Sequence, residues 1–145
     1  MSKKHPIISV TGSSGAGTTT VKTTFDQIFR REGFKSVSIE GDAFHRFDRA
    51  AMKDELTKRK AAGDQTFSHF SYEANELGKL EEVFRTYAET GCGETRHYVH
   101  DDAEAAKYGS APGTFTDWAP FAEGSDVLFY EGLHGAVKNS EVNLS

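Results

Sequence analysis

The sequence predicts an α/β fold in which a mostly parallel sheet is flanked by helices. Three stretches carry that prediction. A run rich in β-branched residues over 6–11 leads through Gly12-Ser13-Ser14-Gly15-Ala16-Gly17-Thr18-Thr19-Thr20 into a helical pattern. A second strand at 35–40 closes a strand, helix, strand unit long enough for a parallel crossover. An apolar strand at 126–132 ends in a carboxylate, Glu131.

Residues 6–11 are almost continuously apolar, as in a central parallel strand covered on both faces. Gly12 and Gly17 then occupy the glycine positions of G-x-x-x-x-G-K-[ST], and Thr19 the position of the hydroxyl that ligates magnesium. Thr18 stands where that pattern has its lysine. Backbone N–H groups of such a loop turn inward on phosphate, and the helix behind it adds the positive end of its dipole. The spacing G-x-x-G-x-G of Gly12, Gly15 and Gly17 excludes the dinucleotide fingerprint G-x-G-x-x-G. In the helix, Val21, Phe25, Ile28 and Phe29 make one apolar stripe, Arg30 and Arg31 suit its C-terminal end, and Gly33 can cap it. Lys22, about one turn beyond Thr18, is expected to point away from the phosphates.

Asp42 follows the second strand at its carboxyl end, where open α/β sheets place ligand groups. Two readings stand side by side there: a base for an acceptor hydroxyl facing the γ-phosphate, or the cap of a helix that begins nearby. His45, Arg49 and Lys53 recur at helical spacing and predict a cationic stripe beside Asp42, suited to a phosphorylated acceptor, although a charge run is also what a solvated face looks like. Lys58, Arg59 and Lys60 fit that plainer reading. A second long helix carries Leu77, Leu80, Phe84 and Tyr87 on its core face and stops before Gly91. Two short extended pieces, 95–100 and 114–118, are separated by a loop holding Gly109, Pro112 and Gly113, which predicts an antiparallel excursion. Tyr98 and His100 share one face of the first piece, open to a substrate contact or to mere half-exposure. In the final strand Asp126 reads as structural, while Glu131 at the carboxyl end is the acid expected to help hold magnesium.

With 145 residues the chain makes one domain, 1–145, with no repeat or low-complexity run. A net charge of −5 argues against a nucleic-acid backbone as partner. The apolar run behind Lys3 and Lys4 is too short for a signal-peptide core or a membrane span, so a cytoplasmic protein is expected. The single cysteine, Cys92, reads as a free thiol.

The runs GSSGAGTTTVK, SIEGDAFHRFDR, GDQTFSHFSYEANEL, TRHYVHD, YGSAPGTFTDW and FYEGLHGA, spread from Gly12 to Ala136, resemble bacterial phosphoribulokinases, members of the P-loop kinase group that includes uridine and pantothenate kinases. The resemblance implies a P-loop kinase fold and transfer of the γ-phosphoryl of ATP, with Mg2+, to the 1-hydroxyl of ribulose 5-phosphate in the Calvin cycle. It assigns Asp42 as catalytic base, Glu131 as a magnesium-associated acid and His45, Arg49, Tyr98 and His100 as contacts for the sugar phosphate, beside residues 12–20 and Thr19, which the loop motif itself assigns to nucleotide and metal. It further implies a homo-oligomer activated by NADH and inhibited by AMP. The plant and algal enzymes carry a redox cysteine in this loop. Ser13 and Ser14 stand there instead, so thioredoxin control is expected to be absent. Family members continue well past the equivalent of Ser145. The domain is therefore expected to be incomplete at its C-terminal end, with a lysine or arginine from beyond Ser145 replacing the loop lysine. A kinase for another small acceptor such as uridine or pantothenate, and a nucleotide-binding module without catalysis, are the competing readings.

Overall fold

The computed structural model describes residues 3–13 and 15–145. Its frame is a three-stranded parallel sheet in the order β1-β5-β2, formed by β1 (Ile7–Thr11), β2 (Ser36–Glu40) and β5 (Val127–Gly132). Ile7 pairs with Leu128 and Ser36 with Val127, so the carboxyl ends of all three strands come out together. β5 takes the centre because it is apolar on both faces: Val127, Leu128, Phe129 and Tyr130 are all buried. Among the described residues β1 lies next to β5 rather than β2, at the end of the three strands, and is half-buried.

Alternation along β5 divides the core in two. Val127 and Phe129 meet Phe29 and Phe25 of α1 (Thr18–Glu32) on one face. Leu128 and Tyr130 meet Leu80, Phe84 and Tyr87 of α3 (Leu77–Thr90) on the other. The α3 stripe is as expected, and Gly91 ends the helix in the left-handed region at φ 72°. The α1 stripe is less complete: Phe29 is buried, while Val21 and Ile28 remain over a third exposed. Gly33, at φ 75°, caps α1, and Phe34 N–H donates to the Phe29 carbonyl.

A 3₁₀ turn, Gly41–Phe44, follows β2, and α2 (Arg49–Ala61) begins only after it. α2 packs Met52 and Leu56 on Phe67, Ala74 and Phe47 as a satellite core. Arg59, expected on a solvated face, is ion-paired to Glu55, Asp64 and Glu73 and lies over the Phe67 ring. The antiparallel excursion is present: β3 (Glu94–Thr95) pairs with β4 (Ala119–Pro120), and a bridge joins Tyr98 to Phe115. Its connection is not all loop, because Asp102–Tyr108 forms α4. Asp126 is structural as read: its carboxylate accepts from the Lys35 N–H, and its own N–H donates to the Lys35 carbonyl. Among the described residues no helix is long and apolar enough to cross a membrane.

Candidate active site

The carboxyl ends of β1, β2 and β5 and the start of α1 enclose a cleft of about 480 Å³, within the range of small-molecule sites. Its floor is the glycine-rich loop. Gly15 and Gly17 stand at φ 82° and 84°, a region glycine enters without steric cost, and Gly17 is the N-cap of α1. Among the described residues no side chain caps this helix start and no acid stands in its first turn, which leaves backbone donors for an anion. Gly12, Ser13, Gly15, Thr18 and Thr19 line the cleft, whereas Ala16, Gly17 and Thr20 shape the turn without lining it. Ser14 lies outside the described residues.

The opposite wall comes from the other two strand ends. Glu40 and Asp42 follow from β2, and Glu131 comes from β5, with Glu40 and Glu131 paired in register. These ends approach closely because Gly41 and Gly132 lack side chains: a Cβ on Gly132 would lie 2.8 Å from the Gly41 Cα and would press on the Tyr130 hydroxyl. Burial raises the Glu40 carboxyl above its usual range. Lys22 also lines this cleft, with its Nζ held 2.9 Å from the Asp26 carboxylate one helical turn further from the loop.

Asp42 does not cap a helix. Asp48 caps α2, accepting from the Ala51 N–H, so the Asp42 carboxylate is left for two imidazoles. His45 Nε2 lies 3.2 Å from Oδ1 and His100 Nε2 lies 2.8 Å from Oδ2. These hydrogen bonds, His45 first, outweigh burial and hold the carboxyl down at about 2. His100 also meets Glu104 Oε2 at 2.9 Å, and its two carboxylate partners raise it above the usual histidine value against the opposing effect of burial. Tyr98 stands edge-on to both histidine rings.

The expected His45, Arg49, Lys53 stripe is broken. Asp48 starts a fresh helix, so His45 belongs to the turn before it, while Arg49 and Lys53 line an adjoining hollow of about 420 Å³ with His69. Arg49 is still tied to the site, because its Nη2 donates to the His100 carbonyl. Arg96 fastens the excursion to the turn bearing Asp42 by donating to the Ala43 and His45 carbonyls, with its guanidinium over the Phe115 ring. Sequence reasoning missed Glu40, Glu104 and Arg96. Glu40 had a signal in its strand-end position two residues before Asp42, and Glu104 one in the capping spacing Asp101-x-x-Glu104.

The family model described as the phosphoribulokinase/uridine kinase family matches residues 7–144. The chain is 77% identical over 144 residues to phosphoribulokinase 2 of Cereibacter sphaeroides, covering 99% of this chain and 49% of that protein. It is 61% identical to phosphoribulokinase of Nitrobacter vulgaris over its whole length and 50% of the relative. The chain thus spans about half the length of these relatives. Among solved structures, a phosphoribulokinase from Rhodobacter spheroides superposes with a TM-score of 0.87 at 70% identity, over 99% of this chain and 48% of that one. A D-glycerate 3-kinase from Cryptococcus neoformans shares the fold, with a TM-score of 0.55 at 13% identity over 92% of this chain and 44% of that one.

Proposed function

The chain belongs to the phosphoribulokinase/uridine kinase family, and on that premise we propose that it carries the nucleotide and acceptor sites of a phosphoribulokinase. The reaction moves the γ-phosphoryl of ATP to the 1-hydroxyl of ribulose 5-phosphate. The bond from Pγ to the β,γ-bridging oxygen breaks, a bond from Pγ to O1 forms, the hydroxyl proton passes to Asp42, and ADP and ribulose 1,5-bisphosphate leave. The observation that carries this reading is the placement of the Asp42 carboxylate in the same cleft as the uncapped start of α1.

Each group has a stated task. The loop and the first turn of α1 hold the phosphates through backbone N–H groups. Asp42 has lone pairs beyond the two its histidines occupy, so it can accept the acceptor hydroxyl without releasing either ring. A carboxylate held near 2 is a weak base, which suits a loose transition state in which the proton leaves late and positioning dominates. Arg49 and Lys53 give the neighbouring hollow the charge to hold the sugar phosphate, and His45, Tyr98 and His100, in mutual ring contact beside Asp42, are the further acceptor contacts.

Glu40, Asp42, Glu104 and Glu131 line the cleft against Lys22 and His100, an excess of negative charge for a polyphosphate ligand. Thr19 and Glu131 offer the hard oxygens Mg2+ takes. Among the described residues no three His, Cys, Asp or Glu side chains converge as a complete metal cage, which fits an ion that completes its shell with phosphate oxygens and water. When bound there, Mg2+ supplies neutralisation of the developing phosphate charge. By resemblance the protein is a cytoplasmic homo-oligomer activated by NADH and inhibited by AMP.

The test is Asp42→Asn in the full-length polypeptide. A general base contributes about 10²–10⁴-fold, so kcat is expected to fall by at least a few hundredfold while ATP binding persists. A loss of less than about tenfold returns Asp42 to a structural role.

A further inference from the structure

Asp42 is the middle member of a chain of five side chains in contact, running from Glu104 in the wall of the cleft to Asn75. Glu104 Oε2 meets His100 Nδ1 at 2.9 Å, and His100 Nε2 meets Asp42 Oδ2 at 2.8 Å. Asp42 Oδ1 meets His45 Nε2 at 3.2 Å, and His45 Nδ1 meets Asn75 Oδ1 at 2.8 Å. Asn75 is only 3% exposed, and it bridges His45 to the backbone of the segment before α3.

The chemistry of the two end members decides where the hydrogens lie. Asn75 Nδ2 faces the His69 carbonyl at 2.9 Å and the Ser71 carbonyl at 2.8 Å. Carbonyl oxygens only accept, so the amide NH2 is at that end and Oδ1 is turned to His45. Oδ1 also only accepts, which places a hydrogen on His45 Nδ1. At the other end Glu104 Oε2 already accepts from the His100 backbone N–H at 2.8 Å, and as a carboxylate oxygen it places a hydrogen on His100 Nδ1. In both rings Nε2 is then the nitrogen that faces Asp42, so each ring is held by a partner on either side. Without the outer partner, a neutral ring protonated at Nε2 alone would satisfy Asp42, and its orientation would rest on one contact.

We propose that Asn75 and Glu104 are positioning residues for phosphoryl transfer, fixing His45 and His100 so that both present Nε2 to Asp42 and hold its carboxylate in one orientation toward the acceptor hydroxyl. The proposal rests on the kinase reading for its consequence but not for its geometry. Glu104 is also the third residue of α4, where its N–H donates to the side chain of the N-cap Asp101. A capping role alone would change helix stability and leave the His100 ring untouched.

The test uses the full-length polypeptide labelled with ¹⁵N-histidine, without ligand at neutral pH, and reads the protonation of each ring nitrogen by NMR. In the native protein Nδ1 of both His45 and His100 is expected to carry hydrogen. Glu104→Leu should release His100 to the form protonated at Nε2 alone, and Glu104→Gln, which keeps an accepting oxygen, should retain Nδ1–H. With MgATP and ribulose 5-phosphate, Glu104→Leu should lower kcat by about 10–100-fold with the KM for ATP unchanged, and Glu104→Gln should recover most of it. Asn75→Leu is read at His45 in the same way. Asn75 also holds two backbone carbonyls, so the Glu104 pair decides the proposal if that variant does not fold. An unprotonated His100 Nδ1 in the native protein, or a ring unchanged in Glu104→Leu, overturns it. Native rings as expected in a protein with no turnover overturn the kinase reading instead.

Discussion

Two imidazoles reach one half-exposed carboxylate at Asp42, and the pH dependence of that contact follows from the two shifts. The Asp42 carboxyl is held at about 2, below its ordinary 3.8, so its contribution to stability is present above 3.8 and is lost as the pH falls toward 2. His100 is shifted upward from 6.5, so its contribution is complete below 6.5 and is lost as the pH rises through its raised value. The pair therefore contributes in full only between those limits. His100→Ala is expected to destabilise the protein more at about pH 6 than at about pH 9 in urea unfolding, and an equal loss at both would mean that the ring is not paired as described. Asp42 and Glu131 were legible in the sequence because a strand end announces where its acid will stand. Asn75 and the link from Glu104 through His100 to Asp42 were not, since Asp42 and His100 are 58 positions apart and the spacing of neither records the other.

Glycine sets the geometry where the strand ends meet. Gly132 approaches Gly41 so closely that a methyl group would lie 2.8 Å from the Gly41 Cα and push on Tyr130, a buried ring behind both strands. Overpacking of this kind costs about 1–3 kcal/mol. Gly132→Ala is expected to lose that much in urea unfolding and to spread the wall bearing Glu40, Asp42 and Glu131; a change under about 0.5 kcal/mol would show that the strands part freely. Elements with strong periodicity, α3 above all, could be read directly from their apolar stripe. α4 could not, because its seven residues bury no side chain and its starting signal is the local pair Asp101 and Glu104. The stripe from His45 to Lys53 misled for a related reason: Asp48 is the better cap, and it divides the run.

The whole molecule is a parallel sheet whose strand ends open on one side, with helix faces packed on both surfaces and the phosphate loop, the carboxylates and the histidines gathered at that side. Fold class, loop and strand-end acids could be derived from residue pattern, but the order β1-β5-β2 could not, because β5, the last strand in sequence, enters between the first two. On the proposed function acceptor choice also belongs to this scale, resting on the hollow that Arg49 and Lys53 line. A neutral acceptor has no use for those charges, and a module that only binds nucleotide has no use for the Asp42 chain. The most direct measurement is ADP release by the full-length polypeptide given MgATP with either ribulose 5-phosphate or uridine. Turnover with ribulose 5-phosphate and formation of ribulose 1,5-bisphosphate is the expected result; turnover with uridine alone, or with neither, contradicts it.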